Sequence, residues 1–148
     1  MNVLVACEES QRVCTAFREK GHNAFSCDIQ ECSGGRPEWH IKGDVLPLLN
    51  GHCGWYSQAG LYNYLDAKWD LIIAHPPCTY LTNAGACRMY PQKGKIDPNR
   101  FAKAMEAKKF FMAFLSADCE KICIENPIPQ LFSRMNLAIH IPKKHICG

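Results

Sequence analysis

Short apolar runs that each stop at a polar tip constrain this chain more than any other feature. Trp69-Asp70-Leu71-Ile72-Ile73-Ala74 ends at His75-Pro76-Pro77-Cys78, and Lys121-Ile122-Cys123-Ile124 ends at Glu125-Asn126-Pro127. Runs of this length suit strands, and strands apolar on both faces belong inside a parallel sheet covered by helices. In open α/β sheets the ligand crevice lies outside the carboxyl ends of the strands. One tip carries a thiol and the other a carboxylate, so catalytic chemistry is expected along that edge.

The rest of the chain supplies the remaining layers. Asn2 to Ala6 reads as a first strand, followed by a helix that Ser10 can cap and that runs to about Lys20. Val13, Cys14 and Phe17 share one face of it, and Gly21 is its stop. Asn23 to Cys27, ending at Asp28, reads as a second strand, and a strand–helix–strand unit implies parallel pairing with a right-handed crossover. Cys32 to Pro37 is a loop, and His40 to Leu46 holds a third short strand with Asp44 beside Gly43. Asn50 to Lys68 lacks a period and reads as a surface excursion, in the form of a hairpin. Asp70 to Ala74 is then a central fourth strand, next to the first, and residues 79 to 98 a long polar loop. Pro98 to Ala117 is a helix with a stripe of Phe101, Met105, Phe111, Met112 and Leu115; Met105, Phe111 and Met112 are expected in the core. Lys121 to Ile124 is the fifth strand. The architecture expected is one α/β domain, a three-layer sandwich, doubly wound.

Composition narrows the function classes. At 148 residues the chain can bury about 68–70% of its unfolded surface as a single domain. A net charge of +3 permits a nucleic-acid partner without demanding one. No apolar run approaches the roughly 20 residues of a membrane span, and the N-terminus has no basic leader, so a cytoplasmic location and no membrane partner are expected. Ten cysteines without a secretory signal point to reduced thiols. The grouping Cys27, Cys32 and His40 matches no common zinc spacing, so no metal is expected.

Pro76-Pro77-Cys78 and Glu125-Asn126-Pro127, in this order and spacing, resemble the nucleophile and Glu-Asn motifs of the DNA cytosine-5 methyltransferases, and most of all their small phage and prophage single-domain relatives. The resemblance runs from residue 2 to about 129, leaving 130 to 148 as a divergent tail in which Lys143-Lys144 is a solvated pair. It implies a Rossmann-like sheet that binds S-adenosylmethionine and lacks the last strands of the full family. Cys78 is then the nucleophile that adds to carbon 6 of cytosine, and Glu125 assists at ring nitrogen 3. Ala6-Cys7-Glu8-Glu9-Ser10-Gln11 occupies the place of the family's cofactor loop, although residues 7 to 13 contain no glycine. Cys7, Glu8, Asp28, Asp44 and Pro76 are the implied cofactor residues, with Asp28 on the ribose hydroxyls and Asp44 on the adenine amino group. His75, Tyr80, Asn83, Asn126 and Pro127 are the implied substrate side. The family's target-recognition domain, and the arginine of its later strands, have no match.

Two functions are therefore open. One is a methyltransferase acting on cytosine in DNA. The other is a methyltransferase-fold binding protein with little or no turnover, such as a phage anti-defence inhibitor that binds nucleic acid or a host defence protein. A homodimer or a protein partner could complete either. An enzyme of free pyrimidine nucleotides would use the same thiol but needs a phosphate cradle that the sequence does not offer.

Overall fold

A computed structural model describes residues 1–81 and 95–125. Asn83, Asn126, Pro127 and the tail from 130 to 148 lie outside the described residues. The main sheet has five strands: β1 (Asn2–Ala6), β2 (Asn23–Asp28), β3 (His40–Lys42), β6 (Leu71–Ala74) and β7 (Ile122–Ile124). Their order is β3-β2-β1-β6-β7, and every pairing is parallel. The first strand is central and lies beside the Leu71–Ala74 strand, as expected. Sequence order reverses direction between β1 and β6, and an open α/β sheet opens its ligand crevice at such a point.

Alternation along the strands sends side chains to two cores. Leu4 and Ala6 of β1, Ile72 and Ala74 of β6, and Ile122 and Ile124 of β7 join one cluster with Phe111 and Phe114 of α2 (Pro98–Leu115). Val3 and Val5 join the other, against Cys14, Val13 and Phe17 of α1 (Arg12–Glu19). The sheet is thus covered on both faces, which is why its strands are apolar without alternation. The fold is α/β with a parallel sheet.

Between β3 and β6 the chain forms an antiparallel hairpin of β4 (Cys53–Tyr56) and β5 (Tyr62–Leu65). The hairpin matches expectation, but it is more than a surface excursion. Its inner face buries Trp55 and Leu65 in the α2-side core, with Trp55 edge-on to Phe25 at 5.0 Å and tilted against Trp69. Trp69 Nε1 donates to Leu48 O at 2.6 Å, which ties the short turn Leu46–Leu48 ahead of the hairpin to the start of β6.

Two helix details depart from the sequence reading. Ser10 does not cap α1; the carboxylate of Glu8 does, accepting from Val13 N at 2.6 Å and Cys14 N at 3.1 Å. Gln11 precedes the helix in the left-handed region, φ 58°, and that turn brings Glu8 back under the helix's free N–H groups. In α2 the buried line runs through Ala104, Phe111 and Phe114, and Met105 and Phe101 are exposed. Asp97 caps this helix, accepting from Asn99 N and Arg100 N, with Pro98 in the first turn.

Candidate functional site

The carboxyl edge of the sheet gathers most of the expected residues. Backbone bonds set the tips: His75 N donates to Ala6 O at 3.0 Å, and Glu125 N donates to Ala74 O at 2.9 Å. Cys78 and Glu125 therefore follow neighbouring parallel strands and leave the sheet at the same end. Pro76 is buried, Pro77 and Thr79 are exposed, and Cys78 is half-buried between them. Leu81 N donates to Cys78 O, closing a tight turn just after the thiol. Three residues before the thiol in sequence, His75 Nδ1 lies 2.9 Å from Glu125 Oε2. Tyr80 packs under the Arg100 guanidinium of α2's first turn, 5.1 Å from ring centre, with Asn99 and Lys103 beside it.

On the other side of His75, at the β1–β6 reversal, is a cavity of ≈ 220 Å³. Cys7, Asp28, Asp44 and His75 contribute to its wall, together with Val45 and Phe110. Each acid is oriented by a short turn of its own: Asp28 Oδ1 accepts from Gln30 N at 2.9 Å, and Asp44 Oδ1 from Leu46 N at 3.0 Å. That leaves Oδ2 of each acid without a hydrogen-bond partner among the described residues. Among the described residues, no lysine or arginine lines the cavity. Its charge is negative, and this shows in the thiols: burial pushes Cys7 up to about 12, and the Asp28 and Asp44 carboxylates add to the effect. Cys27, also on the wall, is raised to about 12 by burial first and then by Cys7 and the same two acids. Both stay protonated at neutral pH.

The turn after β1 holds this wall in place. Cys7 adopts φ 59° and Gln11 φ 58°, left-handed values that side chains resist. Glycine adopts such values without strain; here packing enforces the conformation. Gln11 is fully buried, donating through Nε2 to Arg36 O at 2.8 Å and accepting at Oε1 from Arg36 N at 3.0 Å. Ser33 N donates to Glu9 O, and the Ser33 hydroxyl donates to the Glu9 carboxylate. Gly34 passes so close that a Cβ there would sit 2.5 Å from Ser10 O.

Among the expected cofactor residues, Cys7, Asp28 and Asp44 therefore share one wall. Glu8 stands apart from them: it is 5% exposed and both its oxygens serve the α1 cap. His75, expected on the substrate side, lines the cavity and reaches Glu125 as well. His40 has both ring nitrogens engaged, by Ser26 Oγ and Gln30 O, and stands as part of the β2–β3 packing. The sequence reading missed Cys27, Val45 and Phe110 as wall residues. Cys27 had a signal, since it precedes Asp28 at a strand end, whereas Phe110 had none because it comes from α2.

All eight described cysteines are free thiols, and no helix among the described residues is long and apolar enough to cross a membrane. No family model, curated protein or solved structure matches the chain.

Proposed function

We propose that this protein is an S-adenosylmethionine-dependent methyltransferase acting at carbon 5 of cytosine in DNA, on a Rossmann-like sheet. One observation carries the reading: a thiol and a carboxylate leave adjacent strand ends beside an acidic cavity at the point of topological reversal. The cavity suits the cofactor's chemistry. Two carboxylates with an open oxygen each accept from ribose hydroxyls and an exocyclic amine, and an anionic wall favours a sulfonium cation.

Bound there, S-adenosylmethionine supplies the methyl group. Asp28 and Asp44 would hold its nucleoside end, and Val45 and Phe110 supply apolar wall beside them. Cys78 Sγ, as thiolate, bonds to carbon 6 of a cytosine turned out of its duplex. With a proton shared between ring nitrogen 3 and the Glu125 carboxyl, carbon 5 becomes the nucleophile and would take the methyl carbon as its bond to sulfur breaks, S-adenosylhomocysteine being the leaving group. Loss of the carbon 5 proton to solvent, expulsion of the Cys78 thiolate and return of the nitrogen 3 proton to Glu125 restore the ring. Arg100 and Lys103, beside the Cys78 turn, are placed to meet the backbone phosphates that flank such a base.

The test is a duplex oligonucleotide carrying 5-fluorocytosine, incubated with protein and S-adenosylmethionine. Fluorine cannot leave as a proton does, so the covalent adduct on Cys78 accumulates and is read by mass spectrometry. Cys78→Ser should abolish it, and Glu125→Gln should slow it by about 10²–10⁴-fold. Cofactor binding without adduct in any cytosine context would overturn catalysis in favour of a ligand-binding protein of the same fold.

A further inference from the structure

We propose that His75 is a positioning residue for Glu125: its Nδ1–H fixes carboxylate oxygen Oε2 and leaves Oε1 as the oxygen presented to the substrate. The contact is 2.9 Å long. A carboxylate can only accept there, so Nδ1 carries the hydrogen. Glu125 needs such a partner. It follows a three-residue strand, and its side chain is 70% exposed, so an unheld carboxylate would be free to sample several rotamers.

His75 is suited to hold it. Its backbone is fixed to Ala6 O, two prolines follow it, and its side chain is only 28% exposed against the cavity wall. Nε2 is buried and has no hydrogen-bond partner among the described residues. The Glu125 bond is therefore the polar contact that sets the ring's tautomer. The dyad links the cavity wall to the second tip through one rigid ring. Naming cytosine as the group that Oε1 meets rests on the function proposed above; the dyad itself does not.

Long-range ¹H–¹⁵N spectra of the full chain at pH 8.5 test it, with His75→Asn identifying the ring among the six histidines. The expected result is a protonated Nδ1 in the unaltered protein and its loss in Glu125→Ala. Hydrogen on Nε2 alone, or a tautomer indifferent to Glu125→Ala, overturns the proposal. Adduct kinetics give the second arm. His75→Ala should lower the rate at saturating 5-fluorocytosine duplex by about 100-fold, the cost of a misplaced group. His75→Asn, whose amide N–H can replace Nδ1–H, should stay within about tenfold. A weaker duplex affinity with an unchanged saturated rate would overturn the positioning role. If the unaltered protein forms no adduct, the cytosine reading fails, and the tautomer still decides the role of His75.

Discussion

On the β1–β2–β3 side of the carboxyl edge, Glu8, Gln11, Ser26 and His40 are buried and hydrogen-bonded, and two residues are held in left-handed conformations. On the β6–β7 side, Pro77, Thr79 and Glu125 are exposed, and among the described residues one histidine holds the carboxylate. The first side is acidic at its cavity; the second has Arg100 and Lys103 near its thiol turn. A small ligand gains from a wall that is already ordered, because ordering costs affinity. A polymeric substrate has to reach its tip from outside. On the function proposed above, the first side would be the binding half and the second the reacting half.

The largest expected effect separates the two kinds of thiol. Cys7 and Cys27 are raised from an unfolded value of 9.0 to about 12. Between those values the unfolded chain loses thiol protons that the folded chain keeps. Stability contributed by these thiols is therefore complete below pH 9 and is lost as pH rises toward 12. The slope is about 1.4 kcal/mol per pH unit for each thiol. Urea unfolding from pH 8 to pH 11 should show the decline, and Cys27→Ala should make it shallower, with Cys7 and Cys14, the latter raised to about 11, carrying the rest. Iodoacetamide at pH 8 should label Cys78 in the native protein and spare Cys7 and Cys27; equal labelling would erase the contrast.

Two glutamates at strand ends give the next effect. Glu8→Ala removes an almost fully buried carboxylate and strands two helix N–H groups, so it should cost about 2–3 kcal/mol in urea unfolding. Glu125→Ala, at an exposed tip, should stay within about 0.5 kcal/mol. If Glu125→Ala destabilises as much as Glu8→Ala, the β7 tip is a structural element rather than a reacting one.

Binding comes third. Asp28→Ala should weaken S-adenosylhomocysteine by about 1–3 kcal/mol in calorimetry, since the ligand donors it meets lose their partner. Asp44→Ala should act in the same direction. Unchanged affinity in both would place the ligand elsewhere on the molecule and break the assignment of the two halves.

The strands were legible because burial on both faces leaves a plain apolar signature, as in Leu71 to Ala74. The placement of Cys78 and Glu125 at one end of the sheet followed from parallel pairing alone. The helix cap was not legible. Ser10 has the right chemistry in the right place, but the capping group is Glu8, brought there by a left-handed Gln11 that no local propensity predicts. Nor was the true face of α2, since Phe101 and Met105 fit the period as well as Phe111 does. Only packing against the sheet decides which turns are covered. Trp55 was hidden for a similar reason: a short hairpin rich in Tyr, Asn and Gly reads as surface until its inner face finds Phe25 and Trp69.

The smallest effect bears on the strain carried by the cavity wall at Cys7. At an ordinary position glycine is less stable than alanine by about 0.5–1 kcal/mol, because its unfolded chain has more freedom to lose. Cys7 has φ 59°, where a Cβ meets the backbone and glycine does not. Comparing Cys7→Gly with Cys7→Ala cancels the loss of the thiol and isolates the backbone. Glycine should be the more stable of the two by about 1 kcal/mol, an inversion of the usual order. The functional half of the test is affinity. A thiol kept on the cavity wall despite the strain should be there for the ligand, so both variants should bind S-adenosylhomocysteine more weakly than the unaltered protein. Should Cys7→Gly be more stable and bind equally well, the strain at Cys7 has no role in the cavity, and the ordered wall rests on Gln11 and the two acids alone.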